Sequence, residues 1–401
     1  MSEEYGMKRI AIIAEFNPFH TGHAWLLSQV RQQAGPQSLI VVIMSGSFVQ
    51  RGEPALFDKW HRAAWAVEGG ADLVFELPAV YSLSSADGFA LGGVWLASRL
   101  GCSHLACGVE RGTADDFYAL ARAAQDIRPC RGRETAGRQQ TMAVAARIPE
   151  QTALLLDQPN ALLAASYAKA IVQQDLSLQF WPILRQGNHH DPSLAHSFAS
   201  ASALRQDIIQ TGRCQHLHRH LTPQAREDMA ALLSQGAYTD YDRYGDFILF
   251  QNRLLTPEML RQLPAFNEGL ENRWHRCMQE SVTYKEALAA IKTRRYAYSR
   301  LCRMGAYTLL SPGRSLMDQS YQLGPQYARL LALSQKASFY IKEIKKELPV
   351  ITRITAADSL SPLGRKQLAL DLRCTDMQYY CFHGTQARLS RQDYYQSPRI
   401  R

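Results

Sequence analysis

Two histidines three residues apart, His20 and His23, stand in the run Asn17-Pro18-Phe19-His20-Thr21-Gly22-His23, directly behind an apolar segment. At the start of a helix, free backbone N–H groups and the positive end of the dipole already favour an anion. Two imidazoles on one face there suit nucleotide phosphates and the charge that develops in phosphoryl or nucleotidyl transfer. Pro18 favours a turn, and Gly22 lets the backbone approach a ligand closely. A metal pair and a helix cap fit the same spacing. No G-x-G-x-x-G and no Walker pattern follows the segment, so the element is an H-x-G-H.

A second set of polar residues follows the next apolar run. Ser45, Gly46, Gln50, Arg51, Glu53 and Lys59 belong to SGSFVQRGEP and the stretch behind it. Arg51 and Lys59 are natural partners for a triphosphate or a carboxylate, while Glu53 either orders the loop or binds magnesium. Each alone reads as an ordinary loop charge. Three converging on one rim favour the functional reading.

The elements that must position these residues are legible in the first 110 residues. RIAIIAEF (9–16), SLIVVIMSG (38–46), ADLVFELP (71–78) and SHLACGVE (103–110) are short and nearly continuous in apolar character. Such runs suit parallel strands buried on both faces. Helix-length segments at 23–34, 58–69 and 85–100 separate them, predicting a Rossmann-like, doubly wound α/β sheet with its ligand crevice at the strands' carboxyl ends. Further helices are predicted near 113–126, 135–147 and 160–174, and a strand at 178–185. After Asp191-Pro192 helical patterns dominate, at 200–211, 222–236, 256–272, 283–306, 324–347 and 360–370. The expectation is a catalytic domain over 1–190 and a mainly α-helical domain over 191–401.

The 401 residues, 46% hydrophobic and 20% charged, exclude a disordered chain, a collagen and a coiled coil. No run approaches the ~18 apolar residues of a membrane span, and MSEEYGMKR is no secretory signal, so a cytoplasmic protein is expected. The eight cysteines form no C-x-x-C pair, and reduced, packed thiols are expected rather than a zinc or redox site. Charge is split unevenly. Residues 1–110 hold 7 basic and 10 acidic side chains, a net −3, and the remainder hold 38 and 26, a net +12. That split suggests a chemical site joined to a polyanion-binding surface, although a merely solvated basic surface fits too.

AEFNPFHTGH (14–23), MSGSFVQRGEPALFDKWHRA (44–63), DLVFELP (72–78) and CGVE (107–110) together resemble the tRNA(Met) cytidine acetate ligase family of H-x-G-H nucleotidyltransferases. The resemblance runs through most of the chain and is densest in 9–110. It implies an enzyme that forms acetyl-adenylate from acetate and ATP, releases pyrophosphate, and acetylates the wobble cytidine of elongator tRNA(Met) to N4-acetylcytidine. It implies an ATP site from Ile13 to Leu26, including Asn17, Pro18, Phe19, His20, Gly22 and His23, with Gly46, Gly108, Asn160 and Arg185. Catalytic roles fall to His20, His23, Arg51 and Lys59, with magnesium accompanying ATP. From the residues alone, Asn160 also reads as a helix cap and Arg185 as a surface ion pair. The family's usual Pro-Asn-Asn is Pro159-Asn160-Ala161 here, and His189 replaces an aromatic in His189-His190-Asp191, a triplet better read as a turn than as a metal site.

The run TYKEALAAIKTRRYAYSRLCRM (283–304) carries Lys285, Lys292, Arg294, Arg295, Arg300 and Arg303 against one acid, Glu286, with Tyr296 and Tyr298 interleaved. On one helix these make a phosphate-tracking face with aromatics for unpaired bases; a solvated helix packed on its apolar side is the plainer alternative. The family has a similar run, which implies tRNA contact at Lys292, Arg294, Arg295, Arg300 and Arg303. Arg205, in SASALR, is placed near the nucleotide crevice or the acceptor cytidine. Two rival functions stay open. One is a small-molecule adenylyltransferase or acetate ligase of cofactor or citrate-lyase type, and the other an RNA-binding protein with a regulatory nucleotide site.

Overall fold

The computed structural model describes residues 7–125, 143–185, 199–344 and 347–401. One large sheet organises them. Its strands are β1 (Arg9–Ala14), β2 (Leu39–Ser45), β3 (Leu73–Leu77), β4 (His104–Val109), β5 (Gln179–Leu184), β6 (Ala328–Leu333), β7 (Val350–Ile351) and β8 (Arg399–Ile400). Their order is β8-β6-β3-β2-β1-β4-β5, with β7 beside β6.

β1 pairs in parallel with β2 on one side and with β4 on the other, Ile10 facing both Ile40 and His104. The chain builds outward through β2 and β3, then returns past β1 to place β4. The strand order therefore reverses between β1 and β4, and a doubly wound sheet opens its crevice there. Strand alternation divides the core into two layers. Ala11, Ile13, Val41, Ile43 and Phe75 bury one face, and Ile10, Ile12, Ile40, Val42 and Val74 the other. Helix α1 (Thr21–Ala34) and α2 (Lys59–Glu68) cover the second face, while α3 (Ala86–Arg99) and α4 (Pro159–Gln173) cover the first. That two-sided cover explains why the strands read as unbroken apolar runs.

Beyond residue 199 come α5 (Ala201–Thr211), α6 (Tyr241–Leu254), α7 (Tyr284–Ile291), α8 (Tyr298–Leu310) and α9 (Pro362–Tyr380). This region is mainly helical, as expected, with four corrections. The helix predicted over 324–347 contains β6, which joins the sheet antiparallel to β3, and β7 and β8 then add to it. A six-residue buried run such as ARLLAL cannot be told from a helix segment by periodicity. The helix predicted over 283–306 breaks between Ile291 and Tyr298. Ile291 and Tyr296 are both buried, and on one continuous helix they would lie about 140° apart; the break turns both inward. The helix at 256–272 is two shorter ones, and α6 was not anticipated. The expected boundary at 190 and His189-His190-Asp191 lie outside the described residues, as does most of the segment 135–147.

Candidate active site

The loop after β1 is built by its own side chains. His20 is the N-cap of α1, its Nδ1 accepting the Gly22 N–H at 3.0 Å, and His23 Nδ1 accepts the His20 N–H at 3.3 Å. This is a capping box made of two histidines. Because each Nδ1 accepts, each ring is neutral and carries its proton on Nε2, so the pair presents Nε2–H donors. The rings stack with centroids 3.7 Å apart, and Phe16 lies against His23 at 4.7 Å. The helix-cap and phosphate-donor readings are thus one arrangement.

Other elements hold this loop at the crevice. Asn17 Oδ1 accepts the Leu56 N–H at 2.8 Å, and the Asn17 carbonyl accepts from Arg205 Nη1 at 2.6 Å. Arg62, wholly buried in α2, donates to the carbonyls of Glu15 (2.6 Å), Ser45 (3.1 Å), Phe57 (3.1 Å) and Gly46. Burial pulls its guanidinium down to about 10, so it is still charged at neutral pH. One cation thereby ties the ends of β1 and β2 to the loop that follows β2. In that loop, the Gln50 N–H reaches Glu15 Oε1 at 2.8 Å, and its carbonyl accepts from Arg303 at 3.1 Å. Gly52, at φ +88°, passes so close to α8 that a Cβ would meet the Arg303 nitrogen at 2.3 Å, and only glycine fits both constraints.

Between these loops and the ends of β4 and α4 lies a cleft of about 490 Å³. Arg51 and Arg185 bring positive charge to it, and Ile13, Leu26 and Gly108 its apolar wall. Asn160 Nδ2 donates to Glu110 Oε1 at 2.5 Å, while Glu110 Oε2 is buried with no hydrogen-bond partner among the described residues. The Tyr167 hydroxyl, also lining the cleft, is in the same condition. Cys107 lies in the wall, but burial lifts its thiol to about 12, which leaves no thiolate for nucleophilic attack at neutral pH.

The family model of the HIGH nucleotidyl transferases matches residues 7–393. A tRNA(Met) cytidine acetate ligase from Latilactobacillus sakei is 37% identical over 87% of this chain and 89% of its own length. One from Lactobacillus gasseri is 34% identical over 91% and 94%. The chain belongs to the tRNA(Met) cytidine acetate ligase family. The crystal structure of Thermotoga maritima TmcAL bound with alpha-thio ATP superposes with a TM-score of 0.90 at 25% identity, covering 98% of this chain and 99% of that one.

Within this ligase fold, Ile13, Asn17, His20, His23, Leu26, Arg51, Gly108, Asn160 and Arg185 come together at the cleft. Gly22 serves it through the cap, and Phe19 lies in the core beneath. Lys59 does not reach it. Its ammonium is fully buried, 2.8 Å from Glu76 and 2.9 Å from Asp393, with Arg329 completing the cluster. The sequence reading put Lys59 on the rim because it follows the SGSFVQRGEP loop closely, but at the first turn of α2 its side chain points inward. Gly46 is also drawn away from the cleft; a Cβ there would strike Glu76. Of the basic run, Lys292 is tied to the carbonyls of Thr293 and Tyr296, Arg295 to Glu268, Arg300 to Ala265 and Asn267, and Arg303 to Gln50. Arg294 is exposed. Sequence reasoning missed Arg62 and Tyr167, and gave Glu15 no role of its own within the Ile13–Leu26 segment; the one signal for Arg62 was a charge inside the apolar stretch of α2.

Proposed function

We propose that this chain condenses acetate with ATP to acetyl-adenylate and transfers the acetyl group to the exocyclic amine of the wobble cytidine of elongator tRNA(Met). An acetate oxygen attacks the α-phosphorus while the bond to pyrophosphate breaks. The cytidine N4 then attacks the acetyl carbonyl carbon, the bond to AMP breaks, and N4 gives up a proton. The observation that carries the reading is the His20–His23 pair, whose Nε2–H donors stand at a helix start on a cleft at the sheet's reversal point. Both rings would donate to the phosphates as charge moves onto pyrophosphate. Arg51 and Arg185 would hold the triphosphate and the acetate carboxylate.

Magnesium travels with ATP and needs only one or two carboxylates besides phosphate oxygens. Glu15 at the cleft fits that need, and Glu110, whose Oε2 has no hydrogen-bond partner among the described residues, stands behind Asn160 as a second carboxylate; the ion would neutralise triphosphate charge there. No helix among the described residues is long and apolar enough to cross a membrane, and a tRNA substrate places the work in the cytoplasm. The exposed Arg294 is the residue of the basic run best placed to meet RNA.

ATP–pyrophosphate exchange with and without acetate, run beside transfer of labelled acetate to tRNA, tests the reading. Acetate-dependent exchange with label in tRNA is the expected result. Exchange without RNA labelling would replace it with the small-molecule ligase, and absence of exchange with tRNA present would leave only nucleotide binding.

A further inference from the structure

A second pocket, about 310 Å³, adjoins the nucleotide cleft and has no part in the adenylate chemistry described above. Its walls are unlike those of the cleft. Four tyrosines contribute, Tyr241 and Tyr244 from α6, Tyr284 from α7 and Tyr298 from α8, with Leu288 and Cys302 between them. Tyr244 donates to the Gly52 carbonyl at 3.1 Å and Tyr241 to the Pro54 carbonyl at 3.1 Å, so two of the rings are locked. The Tyr284 hydroxyl is buried against Gly305 of α8, with no hydrogen-bond partner among the described residues, so this residue gives the pocket its ring rather than its polar end. Tyr298 is half-exposed.

The pocket and the cleft share one partition. Glu53 faces into the pocket, and its carboxylate lies 3.6 Å from the guanidinium of Arg205. The other arm of Arg205 holds the Asn17 carbonyl on the cleft side. A group leaving the pocket past Glu53 therefore enters the nucleotide site beside the His20–His23 loop.

Aromatic walls, a size within the small-ligand range and a carboxylate, Glu53, on the side of the nucleotide cleft suit an unstacked pyrimidine, while Asp242, Asp246 and Lys285 line the pocket from exposed positions. Single-stranded bases are held by stacking on aromatic rings and read along their Watson–Crick edges. A carboxylate accepts from the cytosine N4 amine, whereas uracil turns a carbonyl O4 toward it and is repelled. Resting on the function proposed above, we infer that this pocket receives the acceptor cytosine, stacked against Tyr298, with Glu53 accepting from the N4 amine and rejecting uracil.

The test measures binding of the full-length protein to an anticodon stem–loop RNA carrying cytidine, uridine or an abasic site at the acceptor position. Loss of one stacking partner weakens base binding by about tenfold, so Tyr298→Ala should weaken the cytidine RNA by about that factor and leave the abasic RNA unchanged. Tyr298→Phe, which keeps the ring, should restore cytidine binding. Glu53→Gln, whose amide both donates and accepts, should bring the cytidine-to-uridine preference toward unity. Equal weakening of cytidine and abasic RNAs by Tyr298→Ala would make this a backbone contact and overturn the assignment, as would no change in either. An undiminished preference in Glu53→Gln would remove Glu53 as the reader. Acetate-dependent exchange by the wild-type protein, measured in parallel, separates failure of the pocket from failure of the ligase reading.

Discussion

The loop after β1 and the basic run at 283–304 were both singled out by residue type and spacing, and the fold treats them differently. In the loop, His20 accepts from the Gly22 backbone and His23 from that of His20, so geometry is set within four residues. In the basic run, Arg295, Arg300 and Arg303 bond to Glu268, Ala265, Asn267 and Gln50, partners that no local spacing reveals. Short-range hydrogen bonding preserves what a motif promises. Long-range bonding can convert a suspected ligand-binding cation into a brace. Arg303 is such a case, since it shapes the Gln50–Gly52 turn from beneath.

The sharpest way to break this comparison is to separate the two jobs of His20. Asparagine is a preferred N-cap, so His20→Asn should keep the cap while losing the Nε2–H donor. Removing one such donor costs about 10²–10³ in rate. His20→Asn and His20→Ala should therefore lose acetate-dependent exchange equally by that factor. Only His20→Ala should also lose about 1 kcal/mol of stability in urea titration. Binding of tRNA should stay within about twofold for both. His23→Ala should match the rate loss. If His20→Asn retained most exchange, the ring would be a cap alone and the loop no better a guide than the basic run.

The first four strands and the helices between them were legible because both faces of the sheet are covered, which leaves continuous apolar runs. The H-x-G-H cleft was legible for the same reason, since a strand end and a helix start bound it. What stayed hidden was set by distant contacts. Residues 328–333 are a strand only because β3 offers an open edge. Lys59 joins α2 to an acid, Asp393, more than three hundred residues later. Nothing in the sequence marks the four carbonyls that converge on Arg62.

Buried ion clusters sharpen the contrast in a second way, through pH. Asp371 of α9 lies near the Lys59 cluster, accepting from Ala79 N–H at 2.7 Å and from the Tyr327 hydroxyl. Burial, and then the charge on Glu76, pushes its carboxyl up to about 8. From about pH 4 to about 8 the folded protein holds a proton there that the unfolded chain releases. This contribution is therefore full below about pH 4, drains as pH rises and is gone above about 8, with a slope of at most ~1.4 kcal/mol per pH unit. Asp371→Asn keeps an acceptor for Ala79 and carries no proton to lose. Urea midpoints at pH 6 and pH 9 should fall less in the variant than in the wild type. Equal falls would mean that Asp371 is ionised throughout.

The smallest effect expected concerns RNA. Arg294 is exposed, whereas Arg300 spends its guanidinium on Ala265 and Asn267. A phosphate contact contributes about one unit to the salt slope of binding. Arg294→Ala should therefore lower the slope of log K against log salt for tRNA by about one and weaken binding a few-fold at low salt. Arg300→Ala should leave the slope unchanged while costing stability, because it removes a brace rather than a contact. A slope change in Arg300→Ala as large as in Arg294→Ala would show that RNA competes for the braced cations. The basic run would then act as one face after all, and the local geometry of the first loop would lose its claim to be the more trustworthy signal.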